Sequence, residues 1–230
     1  MGHILPTYYF SGEYETLYPD LLTLEHTEKV FHKGDFLWTI GEPITTVYYF
    51  RSGIAETYVE HEKGHRKILS FHGAGTIFPG MQKSHYKIEN AMVIQALTDV
   101  AVTAFKREDF YQFSLRNPAL MDRLIEHQSA YINMLIYDVA HQRYNYTFLK
   151  LCNFLFLMAE NNRDGSHSVA ITQENIANLL GVGRNHVTKC LSRLRQENII
   201  KVQRGCINIL DFDRLAAYCS QETQKTASSK

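Results

Sequence analysis

The chain has 230 residues, 45% of them hydrophobic, and its 24 Lys+Arg balance 24 Asp+Glu, so the formal net charge is zero. This composition supports a buried core and excludes disordered and collagen-like chains. The balance hides an asymmetry, because residues 1–140 carry a net charge of −5 and residues 141–230 one of +5. Such a split predicts two domains with different partners.

Neither an export signal nor a membrane anchor is evident in the sequence. Residues 1–9 lack the basic and apolar regions of a signal peptide, and no run of about 18 apolar residues occurs. The four cysteines, at positions 152, 190, 206 and 219, show no CxxC spacing. We therefore expect a cytoplasmic protein without a membrane span. Its thiols are expected to be reduced, with a redox or metal role as the alternative.

Short apolar runs separated by glycines fill the first half of the chain. They are rich in Val, Ile, Thr, Tyr and Phe, which is typical of strands. The runs are Phe36–Ile40, Thr46–Phe50, Ile54–Val59, Lys67–Phe71, Ala91–Ala96 and Val100–Phe105. Their spacing of about 8–12 residues predicts an all-β barrel or sandwich. Gly64, within the polar segment 60–66, predicts a hairpin turn.

Helical patterns begin after the last of these runs. A short helix is predicted at Arg107–Ser114 and a long one at Pro118–Arg143, with two apolar stripes. The stripes are Leu120, Leu124, Tyr131, Leu135 and Asp138, and beside them Ile125, Ile132, Ile136 and Val139. Two stripes exceed what one packing surface needs. We expect one to cover the β domain and the other to meet a partner helix in a homodimer. The alternative is a helix buried within one chain.

The last third of the chain carries the pattern of a helix-turn-helix. An amphipathic helix at Asn145–Glu160 precedes it, and Thr172 is a predicted N-cap. Gly181 lies where two crossing helices need a tight turn. The predicted inner residues are Ile176, Ala177, Leu180, Val187, Leu191 and Leu194. Ile199–Val202 and Ile207–Leu210, around Arg204 and Gly205, predict a β wing.

Residue chemistry makes the outer face of the second helix a candidate DNA-binding surface. Residues 184–204 contain six basic side chains and one acidic side chain, Glu197. Arg, Asn, Thr and Lys can bond to base edges in the major groove, and further basic residues can neutralise phosphates. The DNA-binding residues that this chemistry predicts are Arg184, Asn185, Thr188, Lys189, Arg193 and Arg204.

A glycine-punctuated barrel, a long helix and a winged helix-turn-helix, in this order, resemble the CRP/FNR family of bacterial transcription regulators. The barrel motif includes Lys33-Gly34, Gly41-Glu42, Tyr49–Gly53 and Gly73–Gly80. The resemblance implies an α+β fold, with a cyclic-nucleotide-binding-like β-barrel of the jelly-roll type. It also implies that Arg184, Asn185, Thr188 and Lys189 lie at base-reading or groove positions. Thr172 and Gln173 would lie near a phosphate, and the family's recognition motif adds His186 to the predicted DNA-binding residues.

Where the sequence departs from the family pattern, it reduces the number of effector classes that the resemblance allows. Cyclic-AMP-binding members place a Glu after the barrel's Phe-Gly and an Arg shortly afterwards, which pairs with the phosphate. Here Met81-Gln82 follows Phe78-Pro79-Gly80, and Glu89 would repel a phosphate. Residues 1–151 contain no cysteine, which excludes the N-terminal cysteine ligands of iron–sulfur members. His72 and His85 leave haem sensing open, although we interpret both as surface or polar-rim residues.

The motifs also resemble the halorespiration regulators of the chlorophenol-reduction (CprK-like) type. Tyr144-Asn145 leading into Phe148–Leu151 is a shared feature. That resemblance implies an aromatic effector pocket between barrel and long helix, although the helix Lys of those regulators is replaced here by Ala130. The predicted effector-binding residues are Phe71, Phe78, Pro79, Gly80, Asn90, Met92, His127 and Tyr131. Plain barrel core is the alternative interpretation of the apolar ones.

These observations predict a dimeric DNA-binding transcription regulator gated by a small molecule, such as a halogenated aromatic. The expected domains are an effector-sensing barrel at 1–117, a dimerisation helix and hinge at 118–143, and a DNA-binding domain at 144–230. The expected partners are two-fold symmetric double-stranded DNA, a second copy and, as a further candidate, RNA polymerase. No cofactor is predicted, and no motif indicates an enzyme. The alternatives are a cyclic-nucleotide- or haem-responsive regulator, and an effector-sensing interaction protein that binds no DNA.

Overall fold

The computed structural model describes residues 6–80, 92–160 and 167–227. Its first nine strands are β1 (Tyr9–Phe10), β2 (His26–Phe31), β3 (Phe36–Trp38), β4 (Thr46–Ser52), β5 (Ala55–Glu60), β6 (Arg66–His72), β7 (Ile77–Phe78), β8 (Met92–Ala96) and β9 (Val100–Lys106). Helices of the same region are a 3-10 turn at Glu15–Leu17, α1 (Tyr18–Leu21), α2 (Arg107–Arg116) and α3 (Pro118–Tyr144). Then follow α4 (Thr147–Glu160), β10 (Ser168–Val169), α5 (Gln173–Leu180), α6 (Arg184–Gln196), β11 (Ile200–Gln203), β12 (Cys206–Ile209), α7 (Phe212–Ala217) and α8 (Gln221–Ala227).

The chain divides into two compact units whose border lies inside α3. One unit is Tyr8–Ser129, called the β unit below, and the other, the C-terminal unit, consists mainly of residues from Ala130 onward. None of the described helices has the length and apolarity that crossing a membrane requires. The three-part division expected from the sequence stays a prediction.

The β unit contains two sheets with strand orders β1-β6-β5-β8-β3 and β2-β9-β4-β7. β1 and β6 are parallel, and the other described pairs of these sheets are antiparallel. Side chains from both sheets, among them Trp38, Phe50 and Ile94, meet in one buried cluster. The predicted jelly roll is therefore confirmed as two packed sheets. Of the two predicted alternatives, a barrel and a sandwich, the described strands form the sandwich.

Strand β4 separates two apolar cores because successive side chains of a strand point to opposite faces. Tyr48 and Phe50 contribute to the cluster between the sheets. Val47 and Tyr49 instead join a second cluster that includes Phe110 of α2 and the α3 residues Leu120 and Leu124. This confirms that the first stripe of the long helix covers the β domain at its N-terminal end.

Two turns of the β unit depend on glycine, and one of them is the hairpin predicted at Gly64. Strands β5 and β6 form the predicted hairpin, in which the His61 amide donates to the His65 carbonyl over 2.9 Å. Gly64 has a φ of 76°, the left-handed region that glycine adopts without strain. Gly53, with a φ of 83°, lies so close to β9 that an added Cβ would be 2.1 Å from the Asp99 carbonyl oxygen.

The second stripe of α3 stays exposed in the single chain. Ile125, Ile132, Ile136 and Val139 are 55%, 54%, 63% and 71% exposed. Four large apolar side chains at steps of seven, four and three lie along one side of a helix. Such a stripe is the feature for which the sequence predicts a partner helix.

The C-terminal unit is built from α4–α8 and a three-stranded sheet of order β10-β12-β11. The predicted inner stripe is confirmed, because Ile176, Ala177, Leu180, Val187, Leu191 and Leu194 are all buried. Strands β11 and β12 form the predicted wing, and β10 adds a third strand that the sequence did not indicate.

The end of α3 is hydrogen bonded within the C-terminal unit. Tyr137 and Thr223 of α8 share a hydrogen bond of 2.8 Å, and Gln142 Nε2 donates to the Leu179 carbonyl of α5 over 3.4 Å. Lys150 Nζ of α4 donates to the Gln142 carbonyl over 3.1 Å. The segment predicted as a hinge is therefore helical and bonded to α4 and α5.

Candidate functional sites

The turn between α5 and α6 has the geometry predicted from the sequence. Thr172 caps α5, because its hydroxyl accepts from the Asn175 amide over 3.1 Å. Gly181 ends α5 in the left-handed conformation, with a φ of 61°. A β-branched or bulky residue would be strained there. These two local features fix where α5 starts and where the chain turns into α6.

The outer face of α6 carries the predicted base-reading residues. Arg184, Asn185, His186, Thr188 and Lys189 are all exposed, whereas Val187, Leu191 and Leu194 of the same helix are buried. The polar side chains thus occupy the first two turns of a helix whose apolar side is packed away. This arrangement can present donors and acceptors to a wide groove.

Hydrogen bonds join α6 to the start of α5 on this face. The Thr188 hydroxyl lies 2.8 Å from Gln173 Oε1 and 3.1 Å from the Arg184 carbonyl, both of which can accept its proton. Arg184 Nε lies 3.8 Å from the Glu174 carboxylate. Glu174 is therefore an acidic neighbour of the predicted base-reading face, a placement that the sequence analysis did not predict.

Arg204 and Arg193 lie in different surroundings. Arg204 is exposed in the turn between β11 and β12, next to Gly205 with a φ of 73°. The guanidinium of Arg193 instead lies over the ring of Phe148 in α4, 4.1 Å from the centroid. Of the nine predicted DNA-binding residues, Arg193 alone is described with its charged group stacked on an aromatic ring.

The interior of the β unit contains a buried aromatic group with two histidines. His72 is fully buried, its ring centroid is 4.3 Å from that of Phe78, and its Nε2 lies 3.0 Å from the Ser70 hydroxyl. His127, in the first half of α3, is also buried, and its ring centroid lies 4.8 Å from that of Phe10. The interpretation of His72 as a surface or rim residue was wrong.

Burial sets the protonation of both histidines. It lowers the pKa of His127 to about 4. Burial, reinforced by the neighbouring His127 imidazole, lowers the pKa of His72 to about 3. Both rings are therefore neutral at pH 7, and each offers one donor and one acceptor nitrogen.

The structure brings together only part of the predicted effector set. Phe78 and His127 both line the group around His72 and Phe10, and an added Cβ on Gly80 would lie 3.3 Å from Leu124 of α3. Met92 packs on the core between the sheets, and Pro79 borders a surface pocket formed with Trp38 and Tyr48.

The remaining effector candidates are not described as part of this aromatic group. Phe71 neighbours His72 in β6, so its side chain points to the opposite face of the sheet. Tyr131 belongs to the C-terminal unit. Asn90 lies outside the described residues, as do Met81, Gln82, His85 and Glu89. Sequence reasoning missed Phe10 and Tyr14, whose rings contact His127 from the N-terminal segment.

The four cysteines are free thiols. Burial raises the pKa of the Cys152 thiol and raises that of Cys219 to about 12. The thiolate is the reactive form of cysteine, so these two side chains are inert at neutral pH.

Known families match both halves of the chain. The cyclic nucleotide-binding domain matches residues 28–117, and the Crp-like helix-turn-helix domain matches residues 149–218. The transcriptional regulatory protein btr of Bordetella pertussis is 24% identical over 97% of this chain and 92% of its own length.

Solved structures share the fold. FixK2 from Bradyrhizobium japonicum superimposes with a TM-score of 0.76 at 20% identity, covering 86% of this chain and 98% of its own. CprK complexed with OCPA gives a TM-score of 0.68 at 16% identity, covering 93% of this chain and 98% of its own. CprK is thus one of several solved structures that share this fold. Together with the matched domains, the two-sheet β unit and the winged helix-turn-helix identify the chain as a DNA-binding transcription regulator of the CRP/FNR family.

Proposed function

We propose that this protein is a homodimeric, effector-gated regulator that reads a two-fold symmetric DNA site with α6. The observation that carries this proposal is the exposed polar face of α6, opposite a fully buried apolar stripe. Its DNA contacts would come from Thr172, Gln173, Arg184, Asn185, His186, Thr188, Lys189 and Arg204. A regulator of this kind acts in the cytoplasm, with RNA polymerase as a further proposed partner.

The contacts divide by chemistry into base readout and phosphate binding. Arg184 and Lys189 can donate to guanine, and Asn185 can bond to adenine at both its acceptor and its donor. Because Gln173 Oε1 accepts from Thr188, the two amide hydrogens of Gln173 remain as donors for phosphate oxygens. Arg204, at the tip of the wing, would add a charge contact to the backbone.

The test of sequence-specific binding is selection from a random double-stranded DNA library with the purified full-length protein. A two-fold symmetric consensus with half-sites about one helical turn apart is the expected result. Weak binding without any consensus, at every salt concentration, would contradict the proposal. The selection is repeated with each candidate effector present, because a gated regulator without its effector binds DNA weakly.

The exposed stripe of α3 supports the homodimer. Ile125, Ile132, Ile136 and Val139 follow the spacing of a helix seam, and burying them against a second copy would remove apolar area from water. Two copies also explain the symmetry of the expected DNA site. Sedimentation equilibrium of the full chain should give twice the chain mass at micromolar concentration, and a monomer there would contradict this part.

The effector we propose is an uncharged or weakly acidic aromatic molecule, such as a halogenated phenol, bound in the β unit beside the first half of α3. The aromatic group around Phe78 and His127 supports this choice, since it offers stacking surfaces and neutral imidazole nitrogens. Among the described residues no Lys or Arg is buried, so no interior cation is available there for a phosphate.

Native mass spectrometry with halogenated phenols, cyclic AMP and haem separates the effector classes. A mass shift with a phenol that the His127→Phe variant lacks is the expected result. Binding of cyclic AMP or haem instead would assign this protein to one of the alternative effector classes. Since α3 is bonded to the C-terminal unit from Tyr137 onward, we propose that the gating motion pivots before that residue.

A further inference from the structure

A cluster of aromatic and charged side chains ties the C-terminal end of α6 to α4 and α7. The Arg193 guanidinium lies 4.1 Å from the centroid of the Phe148 ring and 5.4 Å from that of Tyr218. The two rings meet edge to face, with centroids 5.3 Å apart. A guanidinium stacks well on aromatic faces, so this cation is held on its flat side.

The Glu197 carboxylate holds the same guanidinium at its edge. Arg193 Nε donates to Glu197 Oε1 over 3.0 Å, and the Tyr218 hydroxyl donates to Glu197 Oε2 over 2.7 Å. Arg214 of α7 donates to the Glu197 carbonyl over 3.0 Å. The Tyr218 hydroxyl, followed by the Arg193 guanidinium, lowers the pKa of the Glu197 carboxyl, which is therefore ionised at neutral pH.

These contacts use both the face and the Nε edge of Arg193. Reaching out to a DNA phosphate would break a stacking contact and an ion pair at once. Arg195, two residues on, is exposed on the same helix. Both side chains are at the surface, that of Arg193 being 53% exposed, but only Arg193 is described with a stacking contact and an ion pair.

We propose that Phe148, Arg193, Glu197 and Tyr218 form a guanidinium clamp that positions α6 for base reading, and that Arg193 is a positioning residue instead of a phosphate contact. The inference rests on the proposed base-reading role of α6. A helix of 13 residues is about 20 Å long, so a small change of tilt at the clamped end displaces Arg184 and Asn185 at the other. Bidentate bonds to base edges tolerate little displacement.

The test compares Arg193→Gln, Glu197→Gln, their double variant and the control Arg195→Gln. DNA affinity is measured on the selected site and on a scrambled site over a range of salt concentrations, with thermal unfolding in parallel. The clamp predicts that Arg193→Gln and Glu197→Gln each weaken binding to the selected site about 5- to 10-fold. It also predicts no further loss in the double variant, and a salt dependence equal to that of the wild type. Arg195→Gln should keep the preference for the selected site.

A role of Arg193 as a phosphate contact predicts different changes in DNA affinity and salt dependence. If Arg193 bound a phosphate, Arg193→Gln would lower the slope of log affinity against log salt by about 0.9. Glu197→Gln, which removes a negative charge near DNA, would then tighten binding. Either result would overturn the clamp. So would variants that lower the unfolding temperature but bind DNA like the wild type at a temperature where they are folded.

A milder variant covers the case in which the others fail to fold. Tyr218→Phe removes one hydroxyl and keeps the ring, and the clamp predicts a 2- to 3-fold loss on the selected site with an unchanged salt slope. Unaltered affinity of this variant would count against the clamp. Failure of the proposed function is distinguishable, because in that case the wild type itself would show no preferred site.

Discussion

The β unit and the helix-turn-helix of the C-terminal unit differ in where they place polar side chains. The interior of the β unit contains His72, His127, Thr57 and Ser70, whereas α5 and α6 bury apolar residues and expose their polar side chains. Burying a polar group costs free energy, while exposing one costs little. The contrast agrees with the proposed binding of a small molecule inside the β unit and of DNA at the surface of α6.

The largest expected effect is acid destabilisation of the β unit. In the folded state His72 and His127 have a pKa of about 3 and about 4, below the ordinary 6.5. The unfolded chain therefore binds more protons below pH 6.5, and the free energy of unfolding falls as the pH drops. Between pH 6.5 and pH 5 the loss is about 1.6 kcal/mol for each histidine, or about 3 kcal/mol together.

Trp38, the single tryptophan, lies in the core of the β unit, so its fluorescence reports unfolding of this unit alone. Urea unfolding at the two pH values is compared for wild type, His72→Phe and His127→Phe. Each variant should lose about 1.6 kcal/mol less than the wild type on acidification. The same pH dependence in all three proteins would contradict the assignment of buried, neutral imidazoles.

Glu56 should produce a pH effect of the opposite sign. Burial raises the pKa of this carboxyl to about 7, although Arg66 partly opposes the shift. The folded state then binds more protons than the unfolded state between pH 4.5 and 7, so stability falls as the pH rises through that range. Glu56→Gln should be more stable relative to wild type at pH 8 than at pH 4.5, by about 3 kcal/mol. A difference between the two proteins that does not change with pH would refute this.

A charge on the exposed stripe of α3 should weaken dimerisation. Ile132→Asp places a carboxylate in the proposed seam, where losing water without a partner costs free energy. The dimer should dissociate 10- to 100-fold more readily, a change of about 1.4–2.8 kcal/mol. Asn133→Asp, one residue away and also exposed, is the control with an added charge. Equal effects of the two substitutions in sedimentation would show that the stripe is not the seam.

Local signals made parts of this structure predictable. The Thr172 cap, the Gly181 turn and the buried stripe of α5 and α6 each depend on residues a few positions apart, and the structure confirms all three. The wing was predictable for the same reason, because its strands flank a turn at Arg204 and Gly205.

The features that the sequence could not predict depend on contacts between residues far apart in the chain. Four consecutive residues of β2, Thr27–Val30, are exposed, so this edge strand has no apolar alternation and depends on pairing with β9. His72 is buried by Phe10 and Phe78, which come from other strands. The contacts of Arg193 need Phe148 of α4 and Tyr218, the residue that follows α7. The i,i+4 spacing of Arg193 and Glu197 was the one signal of this cluster visible in the sequence.

Binding measured on single base-pair variants of the selected site tests the central claim, that the first turns of α6 read bases. Arg184→Ala is compared with Arg204→Ala, which removes the same charge from the wing. The account predicts that Arg184→Ala costs about 1–3 kcal/mol on the selected site and relaxes the preference at one base position. Arg204→Ala should weaken binding to all sequences equally and reduce the salt slope. If Arg184→Ala also weakened every sequence equally, with a reduced salt slope, Arg184 would be a phosphate contact and the claim would be contradicted.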